Sequence, residues 1–306
     1  MIYAMGDKGF MLEFFQNFFD KITAFFTSIL IALGIMSAPV EPVKPTQTEV
    51  CTFAVQQYDS ENNKNCYAVE GGCSDGTYVY VSMIDVSVEN ETVAEGEEAK
   101  KVPCKIVKIN ASDWKTVSVS DTLYIDHAND MTYNSKTKKL VIANNKPNYS
   151  TVTIVNPETL QVEETKQLLN YINLDTEQNP VPVKIYSITY NEASDCYFCG
   201  ISNTCNFAVL DSEFKLLRTF DGVSVTYTRQ AAANDSNYVY SIFYKPNCIY
   251  KYDFEGGYQG VFTLPVTTNE AEFVFFIGEK MYVGYNILSS SQGGIIYSVE
   301  NPEFTK

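Results

Sequence analysis

Histidine occurs once in the 306 residues, at position 127, and tryptophan once, at position 114. A single imidazole excludes multi-histidine metal centres and the His-Glu-x-x-His helix, and any Ser-His-Asp relay would have to be built on His127. Cations are scarce as well, with 22 Lys and Arg against 37 Asp and Glu and a formal net charge of −15. Such a surface repels phosphate, and no Lys/Arg cluster with interleaved aromatics offsets it, which argues against a nucleic-acid partner. Glu89 to Glu98, an acidic insertion, reads as a solvated loop. There is no Gly-x-Ser-x-Gly elbow, phosphate loop or EF-hand spacing, and Gly256 to Gly260 reads as a hairpin turn. After Pro45 no segment carries a helical hydrophobic period of useful length, so a doubly wound α/β enzyme is excluded.

Cysteine is present, eight times, but without metal-site spacing. Cys196 and Cys199 lie on a strand pattern, where residues three apart face opposite ways, rather than at a helix N-terminus where thiolates are activated. The eight read as small buried apolar residues; the alternative is one or two disulfides in an exported protein, with Cys51 bonded to a cysteine of the last repeat.

Against these absences stands a repeated pattern, played five times from Tyr67 to Lys306. Its second-strand cores are Tyr78–Val81, Leu140–Ala143, Tyr197–Gly200, Tyr238–Ser241 and Met281–Gly284. Each leads to a third strand and then to a turn bearing Asp, Asn or Glu and ending in a large apolar residue: Trp114, Leu160, Phe214, Tyr258 and Phe304. A unit of about 40 residues made of short strands is the signature of a propeller blade. The expected fold is therefore all-β, a five-bladed β-propeller over residues 49–306. Four copies continue into a fourth strand, such as Thr116 to Val119 or Leu216 to Phe220, whereas the fifth ends near Phe304. The strand-like stretch Val50 to Gln56 is expected to complete the fifth blade and cover its open edge.

The N-terminal segment differs in kind. Phe14, Phe15, Phe18, Phe19, Ile22, Phe25 and Phe26 recur at helical spacing, and Ile22 to Val40 carries no charge, close to the about 20 residues that cross a bilayer. Residues 1–40 are expected to form a hydrophobic helix, a membrane anchor or a secretory signal, with a helix docked on the propeller or lying in the interface as the alternative. Ala38 followed by Pro39 argues against cleavage. Residues 41–48 read as a Pro-rich linker. This organisation predicts a monomer at the extracytoplasmic face of the membrane, or a secreted one.

In a propeller the first strand of each blade lines the central channel. By alignment those strands hold Tyr67 to Glu70, His127 to Asp130, Lys184 to Tyr186, Arg229-Gln230 and Glu270 to Glu272, with no serine that recommends itself as a nucleophile. The candidate ligand-binding residues are His127, Asn129, Asp130, Arg229, Gln230, Glu270 and Glu272, a convergence of polar groups that a small polar ligand requires. Asn129 and Asp130 equally suit bonding backbone amides at a strand end, and Glu270 and Glu272 suit an internal ion pair with Arg229 or a divalent cation in the channel. No other cofactor is called for.

The string Asp126-His127-Ala128-Asn129-Asp130-Met131-Thr132-Tyr133-Asn134, with Arg229-Gln230 and Asn269-Glu270-Ala271-Glu272, resembles the propeller family shared by teichoic-acid-biosynthesis protein C-like proteins and certain phage receptor-binding proteins. That resemblance covers residues 49–306. It implies a five-bladed ring and, as in the phage members, attachment to wall glycopolymers. The chain departs from the family pattern at Glu70-Gly71 and Gln230-Ala231, where a Gln-Gly pair is expected. The hydrophobic N-terminus suits a bacterial surface protein better than a phage fibre. The expected function is a non-catalytic binding or scaffold module that recognises a wall glycopolymer through its channel. The alternatives are a glycan or lactone hydrolase or lyase using His127 and Glu270, and a protein-interaction platform.

Overall fold

The computed structural model describes residues 44–54, 66–89, 102–168, 184–201, 205–288 and 293–306, together with a few helical residues near the N terminus. The chain divides into two units, Met1–Lys44 and Pro45–Lys306.

In the first unit Gln16, Phe18, Phe19, Lys21, Ile22, Thr23 and Phe25 are helical, and Phe18, Phe19 and Phe25 are exposed. Among the described residues no helix is long and apolar enough to cross a membrane. Most of the segment expected to do so, including Ala38 and Pro39, lies outside the described residues, as does nearly all of the acidic insertion after Glu89.

The second unit is a five-bladed β-propeller of five four-stranded antiparallel sheets. Blade one is β2 (Ala68–Ser74), β3 (Tyr78–Ile84), β4 (Cys104–Asn110) and β5 (Thr116–Val119), and blade two is β6 (Asp130–Asn134), β7 (Lys139–Ala143), β8 (Thr151–Val155) and β9 (Val162–Gln167). Blade three is β10 (Ile185–Asn191), β11 (Cys196–Ile201), β12 (Phe207–Asp211) and β13 (Leu216–Phe220). Blade four is β14 (Thr228–Asn234), β15 (Tyr238–Tyr244), β16 (Cys248–Asp253) and β17 (Tyr258–Thr263). The fifth sheet is β18 (Glu270–Ile277), β19 (Lys280–Asn286) and β20 (Gly294–Glu300), with β1 (Thr46–Phe53) antiparallel to β20 on its outer edge. That strand begins inside the segment expected as a Pro-rich linker, four residues before Val50, and residues 55–65 lie outside the described ones.

The turns explain why the pattern repeats. Between the first two strands of a blade, Asp75, Asn134, Asn191 or Asp235 accepts backbone N–H groups of the turn through its side-chain oxygen. Between the last two, Asn110, Asn156, Asp211 and Asp253 do the same. These are Asx turns, which replace a backbone acceptor with a side-chain one and so fix the hairpin locally. Trp114, Leu160 and Phe214 then take a left-handed φ of 57°, 56° and 63°. That conformation costs a bulky residue, and packing against the preceding blade offsets it. Trp114 lies 5.2 Å from the Tyr282 ring of blade five, Phe254 5.2 Å from Phe198 of blade three, and Phe304 5.8 Å from Tyr240 of blade four. The core consequently lies between blades: Val141, Ala143 and Val152 meet Ile188, Tyr190 and Leu210 in one cluster, and Phe198, Phe207 and Val209 meet Val239, Phe243 and Tyr250 in another.

All eight cysteines are free, seven buried and Cys196 half-buried. The pairing of Cys51 with a cysteine of blade five fails on the sequence of β18 to β20, which contains none; Cys51 faces Ile296 in the register and donates its thiol to the Trp114 carbonyl at 3.4 Å. Burial raises the thiols of Cys51 and Cys66 to about 11 and of Cys248 to about 12, which suits packing rather than nucleophilic chemistry.

Candidate functional site at one end of the channel

Strands β2, β6, β10, β14 and β18 form the inner ring and pack on one another around the axis. In four of them the register with the second strand slips, at Val69/Gly72, Ile185/Ser187, Arg229/Ala232 and Ala271/Phe273. A bulge inserts residues that break the alternation of faces and re-aims their side chains. The displaced residues are Glu70, Tyr186, Gln230 and Glu272, all at the beginning of their strands, and Asn129 stands at the same level immediately before β6. A repeated backbone irregularity thus gathers the polar residues at one end of the channel.

His127 and Glu70 are directly paired there, Nε2 to Oε2 at 2.9 Å. Gln230 donates from Nε2 to Glu270 at 3.0 Å. Burial and the negative charge of Glu70 raise the Glu270 carboxyl above the usual range, against the opposing influence of Lys245, Gln230 and His127. Glu272, 3% exposed, is pushed up much further by burial and by its two like-charged neighbours, Glu70 and Glu270. Of the seven residues expected from sequence, His127, Gln230, Glu270 and Glu272 come together at this end.

The other three serve the ring itself. Asn129 donates from Nδ2 to the carbonyls of Tyr186 and Gln230, at 2.6 and 2.7 Å, and so ties blade two to blades three and four. Asp130 is fully buried and accepts N–H groups of Met131, Ile188 and Ala232 at 2.8 to 2.9 Å. Burial raises its carboxyl, opposed by those three donors and by Arg229. Gly71 makes this layer possible, because a Cβ there would stand 2.5 Å from the Asp130 Cα. Arg229 does not pair with Glu270 or Glu272. It turns between blades three and four, donating to Ser241 Oγ at 2.7 Å and to the Asn206 carbonyl at 3.1 Å, with the Phe207 and Phe243 rings at 4.8 and 5.3 Å. Burial lowers its pKa to about 10, so it remains a cation at neutral pH. The ion pair fails because Arg229 and Gln230 are strand neighbours with opposite orientations, and Gln230 takes the side facing Glu270.

Asn129 and Asp130 thus bond blade two to blades three and four at one layer of the ring. On the far side of them lies a cavity of about 120 Å³ lined by polar and apolar groups, among them Gly72, Thr132, Thr189, Ala232 and Asn234. It opens toward a wider space of about 630 Å³ between the hairpin turns, edged by Asp75, Tyr133, Lys138, Glu192 and Asp235. This second mouth escaped the sequence reading, which looked only at the beginnings of the inner strands; Ser74, Asn134, Asn191 and Asn234, polar residues ending those strands, were the available signal.

Two residues of the first end also had no periodic signal. Asn145, on the loop between β7 and β8, donates from Nδ2 to Asn129 Oδ1 at 2.7 Å, while its own Oδ1 is buried and meets no hydrogen-bond partner among the described residues. Lys245, on the equivalent loop of blade four, acts on Glu270 through its charge. Among the described residues no group of three or more His, Cys, Asp or Glu side chains could hold a metal ion.

The chain is similar to solved structures in fold alone. Glutaminyl cyclase of Myxococcus xanthus superposes with a TM-score of 0.56 at 10% identity, over 87% of this chain and 100% of that one. A catalytically inactive virginiamycin B lyase from Staphylococcus aureus, with quinupristin, gives 0.42 at 9% identity, over 83% and 99%. No family model matches the sequence, and no curated protein matches it.

Proposed function

We propose that this protein is a non-catalytic binding propeller that takes a hydroxyl-rich polar ligand, of the kind a wall glycopolymer presents, at the Glu70, His127, Gln230, Glu270 and Glu272 end of its channel. The observation that carries this reading is the convergence of these polar side chains at the starts of the inner strands, where His127 meets Glu70 at 2.9 Å and Gln230 meets Glu270 at 3.0 Å. Carboxylates, an amide and an imidazole offer donors and acceptors to hydroxyl groups. The likeness of Asp126 to Asn134 to teichoic-acid-biosynthesis protein C-like and phage receptor-binding propellers supports a wall polymer. The apolar N-terminal segment would hold the ring at the extracytoplasmic face, and the pairing of β1 with β20 would close it.

A second reading is favoured by the His127–Glu70 pair beside Glu270. An imidazole oriented by one carboxylate, next to a second carboxyl whose pKa is raised, is an acid–base couple, and it would serve a hydrolase or lyase of a glycan or lactone. The fold accommodates such chemistry, since the Myxococcus xanthus structure that shares it is an enzyme.

Binding of the full chain to isolated wall glycopolymers, beside a folded His127→Ala/Glu270→Gln double variant, separates the readings. Saturable binding lost in the variant, with the polymer unchanged after incubation, is the expected result. Polymer cleavage that disappears in the variant would establish the enzyme instead. Absence of binding by the wild type would overturn the wall-polymer reading.

A further inference from the structure

Two bonds made in one blade are missing from its neighbour on the hairpin side, and both gaps border the same cavity. In blade three Tyr190 donates its phenol to Asp195 Oδ1 at 2.6 Å across the first hairpin. Blade two keeps the tyrosine, as Tyr133, but has Lys138 where blade three has Asp195. Each stands just before the residue paired with the turn asparagine, and each has a left-handed φ, 58° and 54°. Lys138 Nζ lies 6.0 Å from the centre of the Tyr133 ring; among the described residues it pairs with no carboxylate, and the Tyr133 hydroxyl meets no hydrogen-bond partner. Burial and the negative charge of Asp75 raise the Tyr133 pKa, so the phenol keeps its proton to donate.

The second gap is at Asn191, which ends β10. In blade two the turn asparagine, Asn134, donates from Nδ2 to the Tyr197 hydroxyl of blade three at 2.6 Å. Asn191 makes no such bond to blade four, where Tyr240, the counterpart of Tyr197, turns its hydroxyl to Asp235 Oδ2 at 2.6 Å within its own blade. Asn191 Oδ1 accepts the N–H and the hydroxyl of Ser194 at 2.9 and 3.0 Å, which fixes the amide and leaves Nδ2 without an acceptor among the described residues. Asn191 is only 4% exposed. Among the described residues the sealed side-chain atoms without a partner are Ser135 Oγ and Asn145 Oδ1, so Asn191 Nδ2 reaches open space. That space is the cavity of about 630 Å³, which Tyr133, Lys138 and Asn191 line together.

An amide nitrogen, a phenol and an ammonium are donors in want of an acceptor, and they come from adjacent blades. The other blades bring the opposite: Asp75 of blade one and Asp235 of blade four line the same cavity, as does Glu192 of blade three. Three carboxylates against one ammonium repel a simple anion, so a ligand whose carboxylate meets the donors must carry a positive charge as well. The volume falls within the about 300–1,000 Å³ usual for small-ligand sites.

We propose that the hairpin-side cavity binds a zwitterion of the amino-acid or short-peptide type, its carboxylate on Tyr133, Lys138 and Asn191 and its ammonium toward Asp75 and Asp235. This site is separate from the acidic end and does not depend on what that end binds. A sugar, whose hydroxyls each donate and accept, has no need of donors and acceptors sorted to different walls.

Calorimetric titration of the full chain with alanylalanine, its C-terminal amide, its N-acetyl form and cellobiose tests this. Alanylalanine is expected to bind at least about tenfold more tightly than any of the other three. Asn191→Asp keeps the oxygen that holds the turn and replaces the donor by an acceptor. Lys138→Asp rebuilds on Tyr133 the tyrosine–aspartate bond of blade three, at a left-handed φ that Asp tolerates. Each variant should weaken alanylalanine at least about tenfold while its circular dichroism stays that of the folded wild type. The His127→Ala/Glu270→Gln variant should bind alanylalanine as the wild type does, which keeps this site and the wall-polymer reading distinguishable. Either blocked form binding as well as alanylalanine, cellobiose binding more tightly, or affinity unchanged in both Asn191→Asp and Lys138→Asp would overturn the proposal. So would the absence of any heat of binding up to about 10 mM alanylalanine, or its loss in the His127→Ala/Glu270→Gln variant.

Discussion

The imidazole of His127 meets the carboxylate of Glu70 at 2.9 Å, joining the loop that enters blade two to the bulged start of β2 in blade one. Both side chains are mostly buried, 20% and 10% exposed, so the pair is shielded from solvent far more than a surface ion pair. Replacing His127 by Ala leaves Glu70 facing Glu270 and Glu272 without its imidazole partner. Urea unfolding of His127→Ala is expected to show a loss of about 1–3 kcal/mol, and the further change Glu70→Gln should recover part of it. A double variant as unstable as the sum of the single ones would show that the two groups are not coupled.

Stability should fall as pH rises across the range in which Glu272 ionises. Its folded-state pKa is raised above the unfolded value, so the folded protein holds the proton more tightly, and the resulting stability is complete below the ordinary carboxyl value. It is then lost as pH climbs toward the raised value, by up to about 1.4 kcal/mol for each pH unit. Glu270 adds to the same slope. Glu272→Gln should flatten the profile, measured by urea midpoints from pH 4 upward, and an unchanged slope would refute the assignment.

Asp130→Asn is predicted to be severe although it changes one atom. The amide would present hydrogens where Ile188 and Ala232 already point theirs or, flipped, where Met131 points its own, so at least one buried donor is left unmet. The expected cost is about 1–3 kcal/mol for an unsatisfied buried donor. Thermal unfolding reads it directly, and a variant within about 0.5 kcal/mol of wild type would show that the axial bonds contribute little.

Trp114 gives a specific optical probe, because it is the sole tryptophan and it touches Tyr282 of the neighbouring blade. Its emission should shift to the red when blades one and five separate. Coincidence of that shift with the loss of β-sheet circular dichroism in urea is expected if the ring opens cooperatively. An earlier shift would locate a weak seam between those blades. Trp114→Ala should cost about 3–5 kcal/mol by removing the ring that fills that contact.

The blades were legible because each is specified locally. An Asx residue, a turn and a bulky residue with left-handed φ recur in blades one to three, so Asn110 with Trp114 and Asp211 with Phe214 can be read without knowing what they pack against. The site was half legible. His127, Gln230, Glu270 and Glu272 fall on inner strands that the alignment identified. Arg229 was misplaced as a partner for the glutamates because one step of strand alternation turns it the other way. Glu70 lay within an identified segment yet was passed over, since nothing in sequence says that a bulge aims it at His127. Asn145 and Lys245 sit on loops between second and third strands, where no period exists to follow. Long-range bonds such as Asp130 to Ala232 depend on the diameter of the ring, a property no single blade encodes.

The bonds that Asn129 and Asp130 make from blade two to blades three and four form a layer between the acidic end and the cavity on the hairpin side. Substitutions around Glu272 and around Asp75, Lys138 and Asp235 therefore alter groups that share no partner, and their effects on stability should simply sum. The two faces are free to change their chemistry separately so long as that layer of bonds is kept.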